Sequence, residues 1–240
     1  MELRFPLILD GATGTELQRR GYTGDISMEQ WTLAHPDCIR ELQRGYVDAG
    51  SRVLYTPTFG GNAVRLAAHG VTEDVAAYNR RLAALTREAA GGRALVAGDM
   101  APTGLFLPPL GDASFRQLVD AYAQQAAGLE AAGVDLYVIE TMMTLSDARA
   151  AVLAVRAVTD KPIFVTFACD GNGRSISGTD ITAALTVLQD MGIDAFGLNC
   201  STGAQMLPQL RRLRVYARVP LIAKPSAGLP VMVDGRAEYD

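Results

Sequence analysis

Chemically active side chains recur in this sequence at the ends of short apolar runs. Asp10 closes Leu7–Asp10, Thr56 and Thr58 follow Val53–Tyr55, and Asp99 closes Leu95–Asp99. Glu140 closes Leu136–Glu140, Cys200 follows Ala195–Asn199, and Lys224 closes Leu221–Lys224. Singly, each has a structural explanation: an acid can cap a turn, and a lysine can be a solvated strand end. Their recurrence at equivalent positions on successive runs points to one shared site. Cys200 is the most informative of them. In Gly197-Leu198-Asn199-Cys200-Ser201-Thr202-Gly203 it stands at a strand end, in a polar loop just before a helix. A helix N-terminus or a cation there would favour its thiolate, which makes it a candidate nucleophile or metal ligand. A lone cysteine is nevertheless more often a small buried hydrophobe, and Cys200 has no C-x-x-C companion. Cys169 ends the preceding run, but two thiols alone make a poor zinc site. Cys38 opens an amphipathic segment and reads as packing. His35 and His69 read as helix-boundary residues, and neither a Ser/His/Asp pattern nor H-E-x-x-H is present. Lys224 admits another chemistry, the Schiff-base amine of a barrel lyase or aldolase.

Parallel strands buried on both faces would position such residues. The runs Leu7–Asp10, Val53–Tyr55, Leu95–Asp99, Leu136–Glu140, Ile163–Phe167, Ala195–Asn199 and Leu221–Lys224 are rich in Val, Ile and Leu and largely uncharged until their last residue. Amphipathic stretches lie between them, at Cys38–Ala49, Glu73–Ala90, Phe115–Ala132, Ser146–Val158 and Ile181–Met191. Gly50, Gly133 and Gly192 each follow a helical stretch and suit a left-handed C-cap. The alternation predicts one domain over residues 1–240, a (β/α)8 TIM-type barrel of class α/β lacking its last strand. A doubly wound sheet is the alternative, but Asp10-Gly11-Ala12-Thr13-Gly14-Thr15 lacks the G-x-G-x-x-G spacing. A gap between first and seventh strands would expose backbone edges. The missing strand is therefore expected beyond Asp240, or from another chain; oligomeric state is not readable from the sequence, although an uncovered edge makes a homo-oligomer plausible.

Six segments together resemble the homocysteine S-methyltransferase family. They are Leu9-Asp10-Gly11-Ala12-Thr13-Gly14-Thr15, Thr56-Pro57-Thr58-Phe59-Gly60-Gly61-Asn62 and Ala101-Pro102-Thr103-Gly104. Val138-Ile139-Glu140-Thr141, Gly197-Leu198-Asn199-Cys200 and Lys224-Pro225-Ser226-Ala227-Gly228-Leu229-Pro230 complete the set. Their order and spacing are closest to the homocysteine-binding domain of cobalamin-dependent methionine synthase. The resemblance implies a zinc-binding barrel that transfers a methyl group to the homocysteine thiolate, giving methionine. It implies Cys200 as the first of three thiolate zinc ligands; the other two belong to a Gly-Gly-Cys-Cys segment that this chain lacks. It implies that Asp10 and Glu140 line the L-homocysteine pocket, with Gly11, Thr58 and Asn199 close to the substrate. Ser226 stands where the family usually has Asn. The donor is left open between methylcobalamin or methyltetrahydrofolate, S-methylmethionine and betaine. The first two need a corrinoid-carrying or further domain. The missing Cys-Cys pair leaves an alternative, a metal-free homocysteine-binding or partner subunit without catalysis.

Composition excludes other classes. Of 240 residues, 49% are hydrophobic, which suits one sizeable core, and the net charge of −4 offers no basic stripe for nucleic acid. No apolar run is long enough for a membrane span. The first residues lack the zones of a secretory signal, and three cysteines are too few for a disulfide framework. A reducing, cytoplasmic location is the expectation.

Overall fold

A computed structural model describes residues 5–228, together with the backbone of 231–233 and 236–238. Six parallel strands pair in the order in which the sequence presents them: β1 (Val53–Tyr55), β2 (Leu95–Met100), β3 (Leu136–Met142), β4 (Ile163–Phe167), β5 (Ala195–Thr202) and β6 (Leu221–Ser226). Helices α1 (Gly14–Arg19), α2 (Met28–Ala34) and α3 (Pro36–Asp48) precede β1, and α4 (Ala63–Ala68) and α5 (Val75–Ala90) separate β1 from β2. One helix then fills each later connection: α6 (Phe115–Ala131), α7 (Leu145–Arg156), α8 (Ile181–Asp190) and α9 (Gly203–Arg214). The short strands β7 (Val231–Val233) and β8 (Arg236–Glu238) form an antiparallel pair after β6. Sequential parallel pairing with helical crossovers is the architecture of a (β/α)8 barrel, present here in part.

The strands carry two buried faces. Val53, Ala97, Leu136, Val138, Phe164, Ala195 and Ile222 fill the barrel interior, and Leu7 and Leu9 pack against them. The alternate residues Leu54, Val96, Tyr137, Ile139, Val165 and Phe196 meet the helices, among them Leu118, Leu129, Val152 and Leu188. This is the period-two alternation of a strand, apolar on both faces because helices cover the outside. Each large aliphatic or aromatic side chain buried in these layers contributes about 1.5–3 kcal/mol. Two residues further along the inward rows, the pattern turns polar: Ala97 is followed by Asp99, Val138 by Glu140 and Ile222 by Lys224. The same apolar packing that fills the barrel interior thus aims these side chains at its C-terminal mouth.

Local sequence sets the helix ends. Ser27, Ser114 and Thr202 each accept the N3 backbone N–H while Gln30, Gln117 and Gln205 reach back to the cap, which makes three capping boxes. Gly50, Gly133 and Gly192 take positive φ angles of 109°, 71° and 80° after α3, α6 and α8, as the sequence predicts.

Two expectations need correction. Leu7–Asp10 is not a ladder-forming strand; its one bridge is Leu9 to Val53. The Asp10 side chain, rather than a backbone carbonyl, accepts the Tyr55 N–H at 2.7 Å, which ends regular pairing. Cys200 lies not in a loop but within the irregular end of β5.

Candidate functional site

The inward polar residues meet around Lys224. Its Nζ lies 3.3 Å from Asp10 Oδ1 and 3.9 Å from Glu140 Oε2, and 3.6 Å from the centre of the Tyr55 ring. The Asp10 side chain is only 1% exposed, so this is a buried ion pair. Burial pushes the Asp10 and Glu140 carboxyls above their ordinary values, with the Lys224 charge pulling both back down. Burial works against the Lys224 ammonium too, but Asp10, Glu140 and Asp99 together hold it above its ordinary value. A lysine kept protonated by three carboxylates is a poor Schiff-base nucleophile, which argues against the lyase or aldolase reading.

A second group of contacts runs from the acids to the thiol. Asn199 Nδ2 donates to Glu140 Oε2 at 3.2 Å and to Thr141 Oγ1 at 2.7 Å. Thr141 Oγ1 is in turn 3.7 Å from Cys200 Sγ. Among the described residues, Thr141 and Cys200 are the two non-glycine residues with positive φ, 59° and 53°. For a β-branched threonine this is an uncommon conformation. Each sits where a strand ladder shifts register, between Ile139 and Met142 on β3 and between Asn199 and Thr202 on β5. Bulges at strand ends redirect side chains, and strain of this kind gathers at functional sites. Cys200 is exposed at the mouth, yet partial desolvation raises its thiol above the ordinary value, and so does the Glu140 charge, against the pull of the Thr141 hydroxyl. The expected activation by a helix N-terminus or cation is therefore not what dominates at this thiol.

These residues line one cavity of about 1050 Å³, whose walls include Asp10, Gly11, Tyr55, Asp99, Glu140, Asn199, Cys200, Lys224 and Ser226. Gly11 has a steric reason: a Cβ there would come within 2.7 Å of the Tyr46 ring, whose hydroxyl donates to Ala12 O at 2.6 Å. Thr58 lies beneath the wall, fully buried, with its hydroxyl donating to Asp99 O at 2.7 Å. Three polar atoms on the wall, Tyr55 Oη, Asp99 Oδ1 and Asn199 Oδ1, are buried without a partner among the described residues. A smaller cavity of about 230 Å³ adjoins Phe59 and Thr141 and is lined also by Arg65, Phe106, Met143 and Asp147. Asp147 accepts from Tyr122 Oη at 2.9 Å and from Thr103 Oγ1 at 3.2 Å, and burial pushes its carboxyl up to about 6.

Sequence reasoning placed the acids and Cys200 at one mouth but missed three features. Thr141 was visible only as the residue after Glu140, with nothing to mark its backbone. Lys224 as the internal partner of Asp10 joins positions 214 residues apart. Asp147 carried a signal, an acid at the third residue of a helix, but that usually means only a helix start. His35 and His69 cap the ends of α2 and α4, as expected.

The donor set does not fit a zinc ion by itself. A catalytic zinc takes three protein ligands, and Cys200 is the one cysteine on the cavity wall. Among the described residues there is no group of three or more His, Cys, Asp or Glu able to hold a metal. No helix among them is long and apolar enough to cross a membrane.

Comparison with known proteins identifies the fold and lineage. The chain is 34% identical over 251 residues to a methionine synthase of Mycobacterium leprae, covering 97% of this chain and 21% of that protein. It is 33% identical to a methionine synthase of Mycobacterium tuberculosis, with the same coverage. It thus spans about a fifth of the length of these relatives. Among solved structures, the metallated form of the homocysteine methyltransferase MmuM from Escherichia coli matches with a TM-score of 0.81 at 24% identity, over 92% of this chain and 84% of that one. The oxidised form of the same protein gives a TM-score of 0.80, over 92% of this chain and 82% of that one. At that identity the likeness shows the fold. Residues 7–240 match the family model described as homocysteine S-methyltransferase, and the chain belongs to that family.

Proposed function

We propose that this chain binds L-homocysteine in the cavity at the barrel mouth and presents its sulfur for methylation to methionine. The observation that carries this reading is the run of contacts Asp10–Lys224–Glu140–Asn199–Thr141–Cys200, which joins an acidic region to a thiol within one cavity. Homocysteine has the matching polarity, an ammonium at one end and a thiol three carbons away. Carboxylates buried from water bind an ammonium with charge-assisted hydrogen bonds and so orient the chain of the substrate. Asn199 ties the acidic side to Thr141, whose hydroxyl faces Cys200. Gly11 lets this part of the wall pack against Tyr46.

The substrate thiol, with an ordinary value near 8.5, is mostly protonated at neutral pH. Zinc bound to it would favour the thiolate. Cys200 alone does not supply that metal site, so further thiolates are needed for such chemistry. The methionine synthase relatives favour a methyl group delivered by a separate corrinoid-carrying domain; S-methylmethionine and betaine are the donors that need none. A cytoplasmic setting suits three free cysteines.

The single thiol on the wall favours a second reading, a homocysteine-binding subunit without turnover. Incubation with homocysteine and labelled methylcobalamin, S-methylmethionine or betaine separates the two. Labelled methionine from any donor supports methyl transfer. Binding without methionine supports the second reading, and absence of homocysteine binding sinks both.

A further inference from the structure

The smaller cavity of about 230 Å³ has a carboxyl in its wall that the homocysteine assignment does not use. Asp147, the third residue of α7, is buried beside Thr103 and Tyr122, which are buried too. Asp147 Oδ1 meets Tyr122 Oη at 2.9 Å and Thr103 Oγ1 at 3.2 Å, and Oδ2 accepts the Thr103 N–H at 3.3 Å. Thr103 Oγ1 also accepts the Leu105 N–H at 3.2 Å. One side chain on α7 thus fastens the turn at 102–106, which follows β2 and walls the cavity through Pro102, Gly104, Leu105 and Phe106. Phe59 lines this cavity and the larger one alike, so the two spaces share a wall residue.

Hydrogen bonding favours one protonation state of this cluster. Tyr122 has one hydroxyl hydrogen and two acceptors in reach, Asp147 Oδ1 and, at 3.1 Å, Ala101 O. Burial and the Asp147 charge hold that hydroxyl far above its ordinary value, so it keeps its hydrogen. When Asp147 is ionised, Tyr122 turns to it and Ala101 O loses that donor. When Asp147 is protonated, its acid hydrogen goes to Tyr122 Oη, and the Tyr122 hydrogen passes on to Ala101 O. Thr103 donates to Asp147 in both states, so the protonated cluster makes one bond more. Burial acts in the same direction: it penalises the charge and pushes the carboxyl up to about 6, against the pull of Tyr122 and Thr103.

The charged neighbours are engaged elsewhere. Arg65 on α4 lines the same cavity, with its guanidinium 5.7 Å from the centre of the Phe59 ring. Arg149, on α7 itself, lies 5.6 Å from the centre of the Phe115 ring. Glu140 on β3 is bonded to Asn199, and Asp99 on β2 lines the larger cavity. Among the described residues, the hydrogen-bond partners of the Asp147 side chain are Thr103 and Tyr122.

We propose that Asp147 and Tyr122 form a proton-operated latch on the turn at 102–106: protonated Asp147 holds the turn closed over the small cavity, and ionised Asp147 lets it open. Opening brings water to the carboxyl and returns it towards its ordinary 3.8. A group that titrates higher closed than open stabilises the closed form fully below about pH 4 and loses that contribution as pH rises through about 6. At neutral pH the latch is loosened, and the small cavity becomes accessible beside the larger one. The proton comes from solvent, and the latch is independent of the homocysteine reading.

Amide hydrogen exchange on isotope-labelled protein, corrected for the intrinsic pH dependence of exchange, tests the latch. Thr103 and Leu105 report the turn, and Val165 on β4 reports global unfolding. Between about pH 4.5 and 6.5 the opening at Thr103 and Leu105 should grow about 10–30-fold and stay faster than at Val165. Asp147→Asn, which does not titrate, should show no such step. Tyr122→Phe should shrink the step, because it removes two bonds from the protonated cluster and one from the ionised. Opening that is flat or falls with pH in wild type overturns the proposal. So does a step that survives in Asp147→Asn or is undiminished in Tyr122→Phe, or a turn that exchanges no faster than Val165. If Asp147→Asn does not fold, the carboxyl carbon of Asp147 in wild type decides by NMR. Titration at about 6 supports the latch, and titration near the ordinary 3.8 overturns it.

Discussion

Lys224 and Asp10, 214 residues apart in sequence, form a 3.3 Å ion pair between the last strand of the parallel sheet and the segment that precedes the first. The pair ties the edges of the sheet across the site, and it is buried on the Asp10 side. Breaking one partner of a buried pair leaves an uncompensated charge, at a cost of about 3–5 kcal/mol. Lys224→Met should therefore lose stability on that order in urea unfolding. The double variant Lys224→Met/Asp10→Asn should recover much of it, because replacing a buried pair outright is often close to neutral. Wild-type stability in Lys224→Met, or a double variant no better than the single, would show that the pair does not tie β6 to the segment before β1.

The metal content of the chain follows from its thiols. With Cys200 as the one cysteine on the cavity wall, dialysed protein should hold well under one zinc per chain, and Cys200→Ala should lower it little further. A longer form carrying a Cys-Cys pair should gain stoichiometric zinc that Cys200→Ala removes. Elemental analysis reads both. Tight, stoichiometric zinc in the present chain would mean that the ligand set has been misassigned.

Asp147 should impose a pH dependence of known sign. Its carboxyl titrates at about 6 when folded, against an ordinary 3.8, because burial penalises the charge. A carboxyl raised in this way contributes its full stability below about pH 4 and loses it as pH rises through about 6, a change of about 3 kcal/mol at 1.36 kcal/mol per unit. Asn at this position keeps an acceptor for Tyr122 and does not titrate. The stability of wild type minus that of Asp147→Asn should therefore fall between about pH 4 and 6. Denaturant titrations across that range give the difference directly. A difference that is flat or rises with pH would contradict the burial argument.

Much of the barrel was legible because its physics is local. Val53–Tyr55 and Ile163–Phe167 coincide with β1 and β4, since a strand covered on both faces reads as an uninterrupted apolar run. Of the other five expected strands, Leu7–Asp10 forms one bridge only, and β2, β3, β5 and β6 are observed but run on by one to three residues, to Met100, Met142, Thr202 and Ser226. Polar mouth residues there hide a ladder that continues through a register shift. The helices α1, α2 and α4 were missed because six or seven residues hold too little of a 3.6-residue pattern to be recognised. At the site, residue types at strand ends announced Asp10, Glu140 and Cys200. The Lys224–Asp10 pairing, the unpaired Asp99 oxygen and the strained backbones of Thr141 and Cys200 depend on how the sheet curls, which no local spacing encodes.

Glu140 joins both halves of the site, through Lys224 on one side and Asn199 on the other. The measurement that bears most directly on homocysteine binding is calorimetric titration of wild-type and Glu140→Ala proteins with L-homocysteine under reducing conditions. Wild type should bind one ligand per chain, and Glu140→Ala should weaken that binding by about 2–5 kcal/mol, as expected for loss of one partner of a buried charge pair. Equal affinity in the two proteins, or no binding by wild type, would contradict it.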